Sequence, residues 1–200
     1  MDVLTERKWD RVARCYDRGS GAAERRWAPA KRGLFSLMRG KVLFVAVGTG
    51  RDIEFFPPSQ DVTAVDISPR MLAAAAPRAA AYDGTIALRH ADVHDLSDAD
   101  GAFDQVFTSC TFCSVPGPVD GLRSLRRVLR PGGELHMFEH TRSRYFPFGL
   151  MLTAMTPLVG RFGPELNRDT VKNVERAGFA LTGIEPVYLD VVKMIHAVAP

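Results

Sequence analysis

Val42-Leu43-Phe44-Val45-Ala46-Val47 is an unbroken apolar run, rich in β-branched residues, that ends abruptly in Gly48-Thr49-Gly50. A run without polar alternation suits a strand buried on both faces, as in a parallel sheet flanked by helices. Glycine at its end lets backbone approach a ligand where any side chain would collide. A helix N-terminus after such a loop aims N–H groups and a positive dipole end at the same point, so a polar or anionic group is expected there.

The remainder of the chain alternates in the same way. Residues 62–67 read as a second strand, followed by Ser68-Pro69 as N-cap and first-turn proline of a helix over 70–76. Pro77 is expected to kink or end that helix. Residues 85–88, 103–109 and 134–140 read as the next three strands. A helix from Pro118 presents Val119, Leu122, Leu125 and Leu129 to the core until Pro131-Gly132-Gly133 stops it. A last helix over 168–177 and strands near 180–185 and 189–198 complete the pattern. The expected fold is α/β: a doubly wound, Rossmann-like, seven-stranded, mostly parallel sheet with helices on both faces.

Apolar residues without strand or helix register crowd the stretch after Thr141, including Phe146, Phe148, Met151 and Met155. They read as an apolar cap. One domain is expected, with a helical N-terminal cover (1–41, one or two helices), a ligand-binding core (42–140), the cap (141–164) and a C-terminal helix with strands (165–200). With 46% hydrophobic and 24% charged residues, a disordered chain is excluded. A net charge of +3, from 26 basic against 23 acidic residues, is too small for a dedicated nucleic-acid binder. Three cysteines make no disulfide framework and favour a reducing compartment. No stretch approaches the ~20 apolar residues of a membrane span, so the expected location is cytoplasmic, with peripheral membrane contact through the cap as an option.

Two carboxylates define the ligand. Asp66, at the tip of the second strand, is placed to accept both hydroxyls of a ribose, and Asp92, at the tip of the third, to reach an exocyclic amine such as adenine N6. A dinucleotide fingerprint needs a third glycine at position 53, where this chain has Ile53. The turn from Ala46 is A-x-G-x-G, one substitution from the G-x-G-x-G turn that serves a sulfonium cofactor without pyrophosphate.

Four marks in order resemble the class I S-adenosylmethionine-dependent methyltransferases: this glycine turn, Val65-Asp66-Ile67-Ser68, Ala91-Asp92-Val93, and Arg126 to Gly133 (RRVLRPGG). Within that family, Phe56-Pro57-Pro58, Cys113-Ser114-Val115, Glu139-His140 and Asn167-Arg168 resemble the branch of thiol, quinone-pathway and phosphatidylethanolamine methyltransferases. The resemblance implies S-adenosylmethionine as cofactor and S-adenosylhomocysteine as product. It implies that Ala46, Gly48 and Gly50 lie against the cofactor's amino-acid part and that Asp66 binds the ribose. It further implies that Ile67 and Val93 sandwich adenine, Asp92 holds its amine, and Thr108, Ser109 and Cys110 floor the site. Tyr16 resembles an aromatic that closes over the cofactor. Two positions depart from the family: Phe44 replaces an acidic residue that helps anchor the methionine amino group, and Ala46 replaces a glycine.

A sulfonium methyl is already activated, so transfer needs an aligned nucleophile in a site that excludes water, and orientation alone can contribute on the order of 7 to 11 kcal/mol. Glu139 and His140, at the tip of the fifth strand, are the candidate bases. Phe146, Phe148, Met151, Met155, Asn167 and Arg168 are the candidate substrate residues, for a small lipophilic acceptor. A thiol is favoured, with an amine or phenolic oxygen next. A nicotinamide-dependent oxidoreductase and a non-catalytic binding module remain as alternatives. No metal is expected: Asp92, beside His90, His94 and Asp95, is better explained by adenine, and Cys110 and Cys113 read as structural. The chain is expected to be a monomer or homodimer.

Overall fold

A computed structural model describes the chain at every position except 14, 20, 160–164 and 166, with the side chains of 18, 19, 21–25, 148, 152 and 156–159 also left aside. Three helices, α1 (Val3–Val12), α2 (Tyr16–Gly19) and α3 (Gly21–Phe35), precede the first strand, where one or two were expected. The seven strands are β1 (Lys41–Val45), β2 (Asp61–Asp66), β3 (Thr85–His90), β4 (Phe103–Ser109), β5 (Leu129–His140), β6 (Ala180–Tyr188) and β7 (Val192–Val198). They form one sheet in the order β3-β2-β1-β4-β5-β7-β6, parallel from β3 to β5, with β7 antiparallel to both β5 and β6. The order reverses between β1 and β4. That switch point leaves a crevice beyond the strand tips, because the connections there run to opposite faces.

Period-two alternation divides the core into two layers. Leu43 and Val45 of β1, Val106 of β4 and Leu135 and Met137 of β5 pack beneath α5 (Pro118–Val128) and α7 (Thr170–Arg176). Val42 and Phe44, Phe107 and Phe138 face the opposite way, onto Leu34 and Phe35 of α3 and Ala75 of α4 (Pro69–Ala80). Most of these side chains are fully buried, and each contributes about 1.5–3 kcal/mol relative to exposure.

Several expectations need correction. Helix α4 runs through Pro77 to Ala80 instead of stopping near position 76. Both Pro77 and Ala73, whose carbonyl loses its donor to the missing N–H, lie on the exposed face, so water replaces the bond at limited cost. Helix α5 ends at Val128, and Leu129 belongs to β5, where it pairs with Phe103. The Pro131-Gly132-Gly133 stretch therefore lies within a strand. Gly132 has φ 73 and donates its N–H to Ala199 O at 2.7 Å, so the turn is fixed against the far end of the chain. Helix α7 starts at Thr170 because Asp169, not Arg168, caps it, accepting from Lys172 N. The cap stretch contains a helix, α6 (Phe148–Val159), and part of its expected 141–164 span lies outside the described residues. Among the described residues no helix is long and apolar enough to cross a membrane.

Pro77→Ala restores the helical bond to Ala73 at an exposed site. It is expected to raise stability by about 2 kcal/mol, the proline penalty less its effect on the unfolded chain, measured by urea unfolding. A loss of stability would show that the ring is required by its packing.

Candidate functional site

The tips of β1 to β4 converge on a cavity lined by Val45, Ala46, Gly48, Val65, Asp66, Ile67, Ala91, Asp92, Val93, Ser109, Cys110 and Thr111. Asp66 organises it. Its carboxylate is 5% exposed and accepts from Gly48 N through Oδ2 and from Ser68 N through Oδ1, each at 2.8 Å. Burial drives its pKa up, and these N–H groups oppose the rise without cancelling it. Each oxygen keeps a second acceptor direction, enough for the two hydroxyls of a ribose.

Gly48 has φ 56, and a Cβ built on it would meet nothing within 4 Å, so the backbone faces open space that a ligand can occupy. Gly50 differs. Its Cβ would come within 3.1 Å of Ala75 and Ile53, so this glycine serves the packing of α4 and does not line the cavity. Thr108, expected in the floor, is fully buried in β4 and donates to Glu139 Oε1 at 3.0 Å. Of the expected cofactor residues, Tyr16, Ala46, Gly48, Asp66, Ile67, Asp92, Val93, Ser109 and Cys110 line the cavity, whereas Gly50 and Thr108 stand behind it.

Asp92 is also engaged. Its Oδ1 accepts from the His94 N–H at 3.0 Å and lies 2.8 Å from His94 Nδ1, while Oδ2 accepts from Asp2 N at 2.8 Å. Burial pushes its carboxyl up, but these bonds outweigh it and hold it below the ordinary carboxylate value. On His94, burial favours the neutral ring and the Asp92 carboxylate outweighs it, raising the imidazole pKa.

The cover over this cavity reached less clearly from sequence. Asp2, the N-cap of α1, and Thr5 and Trp9 within it line it together with Tyr16, whose ring lies 6.4 Å from that of Trp9. Acidic residues fasten the cover to the rim. Asp10 accepts from Ser68 Oγ and from Arg70 N, and Asp17 accepts from Thr49 Oγ1 at 2.6 Å and pairs with Arg78 at 2.9 Å. The recurrence of Asp2, Glu6 and Asp10 at four-residue spacing was the available signal, since it puts all three on one helix face. Met71, in the first turn of α4, and Ser114, Val115 and Pro116, after β4, were also missed.

Glu139 and His140 do not line the cavity. Alternation along β5 turns the Glu139 side chain inward, where it is fully buried. There Oε1 accepts from Thr108 Oγ1 and from the N–H groups of Thr111 and Phe112, all at 3.0 Å, and Oε2 from Cys113 N at 3.3 Å. Burial drives its pKa up to about 7 against those bonds. It is the anchor of the loop that forms the cavity floor, not a base in contact with ligand. His140 stands one side chain behind the wall, its Nδ1 3.6 Å from Cys110 Sγ. Burial, with Lys31 nearby, lowers its pKa and favours the neutral ring.

The expected substrate residues are dispersed. Phe146, Met151 and Met155 are exposed by 85%, 49% and 45% and do not line the cavity, and the Phe148 side chain lies outside the described residues. Arg168 donates to the carbonyls of Phe112 and Val115 and pairs with Glu165, so it braces the rim; neighbouring Asn167 is half-buried and does not line the cavity. Phe44 packs its ring against Phe35 and Phe56, at 5.7 and 5.1 Å, on the face remote from the cavity-lining Val45. Ala46 sits at φ 57, a left-handed conformation that costs a side-chain-bearing residue about 1–2 kcal/mol.

Comparisons with known proteins show the family. The family described as a methyltransferase domain matches residues 42–133. The chain belongs to the S-adenosylmethionine-dependent methyltransferases, and S-adenosylmethionine is its cofactor. It is 32% identical to the human thiol S-methyltransferase TMT1B over 174 residues, covering 79% of this chain and 70% of that protein. It is 30% identical to the ubiquinone/menaquinone biosynthesis C-methyltransferase UbiE of Geotalea daltonii over 155 residues, or 74% and 64% of the two chains. Among solved structures, an Aquifex aeolicus S-adenosylmethionine-dependent methyltransferase superposes with a TM-score of 0.67 over 100% of both chains at 16% identity. The [4+2]-cyclase SpnF gives 0.69 over 88% of this chain and 80% of its own at 18% identity, likeness of fold alone. The nicotinamide and non-catalytic alternatives are set aside by family membership.

Two outcomes follow from the geometry. Ala46→Gly is expected to stabilise the protein by about 1 kcal/mol by relieving the left-handed alanine, seen as a rise in melting temperature; no change would mean the strain is absorbed elsewhere. Because the Glu139 pKa is higher in the folded chain than its ordinary 4.5, its linked stabilisation is complete below about 4.5 and is lost as pH rises to about 7. Glu139→Gln keeps an acceptor for Thr108, Thr111 and Phe112, so it should fold, turn over and show a flatter stability profile across that range. Glu139→Ala, which strands buried N–H groups, should lose about 3 kcal/mol or more. Inactivity of a well-folded Glu139→Gln protein would instead make Glu139 a base.

Proposed function

We propose that this methyltransferase transfers the methyl group to the sulfur of a small lipophilic thiol. The bound cofactor supplies an activated methyl on a sulfonium centre. Asp66 is the group to hold its ribose, Ile67 and Val93 to flank adenine, and Asp92 to take the amine through the remaining acceptor direction of Oδ2. With Asp66 and Asp92 so used, Asp2 engaged by Leu4 N, Thr5 N and Thr5 Oγ1, and His94 held between Asp92 and Pro116 O, residues 109–111 and 114–116 are left for the acceptor.

The observation that carries the thiol reading is the chemistry of that remaining wall. Ser109, Cys110, Thr111, Ser114, Val115 and Pro116 include no carboxylate and no exposed strong base. An ammonium or alcohol acceptor has to lose a tightly held proton before it can attack, whereas a thiol, ionising near pH 8.5, needs only a modest shift. Cys110 lies between the cavity and His140, and a neutral imidazole at that place can receive a proton passed along the wall. Similarity to the thiol S-methyltransferases points in the same direction. The apolar part of the lining, with Trp9, Met71, Val115 and Pro116, suits a lipophilic molecule and excludes water from the reacting atoms.

The test is turnover against matched alkyl thiols, aryl thiols, phenols and amines, read by mass spectrometry of the methylated acceptor. Thiols should be methylated and the others scarcely so; preferential methylation of a phenol or amine overturns the reading. His140→Ala should slow alkyl thiols by about tenfold or more while affecting the more acidic aryl thiols less. An equal effect on both would place His140 in a structural role.

A further inference from the structure

Helix α6 and its approach carry no charged residue from Tyr145 to Val159. Tyr145, Phe146 and Leu150 are exposed by 70%, 85% and 63%, and Met151 and Met155 by nearly half. Leu150, Met151, Ala154 and Met155 are exposed and at ~100° per residue form an apolar arc of about 140° of the helix circumference, which exposed Thr153 widens to about 200°. A fluid apolar medium can surround it.

From these observations we propose that α6 docks in the interfacial layer of an anionic lipid bilayer. Its twelve residues are too few for the ~20 that span the hydrocarbon, so it lies in the plane of the surface. The charge at its entrance is complementary: Arg142 and Arg144 are both exposed, with Arg142 only loosely paired to Asp169 at 3.9 Å. Arginine stems at the edge of an apolar helix can lie along it while their guanidinium groups meet lipid phosphates. Tyr145, beside them, is of the type enriched at that depth.

The placement of α6 gives the docking a use. Its segment leaves the sheet at the tip of β5, and its return is tied to the cavity rim. Arg142 N donates to Arg168 O, Glu165 N donates to Cys113 O, and Arg168 donates to the carbonyl of Val115, a cavity-lining residue. A bilayer beneath α6 therefore borders the cavity, and a lipophilic acceptor dissolved in it reaches the site without crossing water. This rests on the lipophilic-acceptor reading above, but the surface can be tested separately.

The experiment is flotation of the full chain with vesicles of phosphatidylcholine alone and of phosphatidylcholine mixed with phosphatidylglycerol. The wild type should float with the mixed vesicles and less with the neutral ones. Leu150→Glu with Ala154→Glu, at the middle of the exposed arc, should reduce flotation by about tenfold or more while leaving S-adenosylhomocysteine affinity unchanged. Arg142→Gln with Arg144→Gln should abolish the preference for anionic vesicles. The proposal is overturned if the wild type stays unbound with both vesicles, or if the double glutamate variant floats equally. It is also overturned if gel filtration shows a dimer that this variant dissociates, which would make the arc a contact between copies. Flotation without thiol turnover would leave the membrane surface standing and remove the thiol reading.

Discussion

The Asp66 carboxylate joins three parts of the molecule that the sheet alone would leave loosely related. One oxygen holds the glycine turn after β1 through Gly48, and the other holds the start of α4 through Ser68. Ser68 in turn caps α4 by accepting from Met71 N at 3.1 Å, and donates its hydroxyl to Asp10 of the helical cover. Turn, helix and cover thus share one buried acid. Burying a carboxylate costs several kcal/mol, and only fixed donors on both oxygens make the ionised form tolerable there. The same fixed donors leave each oxygen one direction in which to bind a diol.

Glu139 repeats the device across the switch point. It lies one strand beyond β4 and gathers the N–H groups of the loop that follows β4, so the floor of the cavity is shaped by a side chain that never touches the cavity. Both acids are organisers of backbone. They differ in what they leave free: Asp66 borders open space, whereas every hydrogen-bonding direction of Glu139 that matters points at protein. Catalysis in such a site depends chiefly on holding two reactants in line and dry, in keeping with a wall of small polar and apolar groups.

The strands themselves, the glycine turn, Asp66 and Asp92 were legible because they are local: apolar runs, glycine, and a carboxylate at a strand tip. Gly50 and Thr108 were misplaced because adjacency in sequence does not say which neighbours a residue packs against, and Gly50 proves to be spent on Ala75 and Ile53. Glu139 looked like a base for a similar reason. A strand-tip acid faces the ligand or the core according to a one-residue difference in alternation, and its donors come from a loop more than twenty residues earlier in the chain. Phe44, in place of an acid, is explained by that same alternation, since it packs on Phe35 and Phe56. The cap residues pointed outward because no layer of the sheet was left for them to cover. Pro77 was tolerated because the carbonyl it deprives faces water.

What most directly tests the site built around Asp66 is a calorimetric titration of the wild type and Asp66→Asn with S-adenosylhomocysteine. One molecule should bind per chain to the wild type. The asparagine variant should bind at least tenfold more weakly, about 1.4 kcal/mol, since its amide offers one acceptor oxygen in place of two. Absence of binding to the wild type, or equal affinity of the two proteins, would contradict the account.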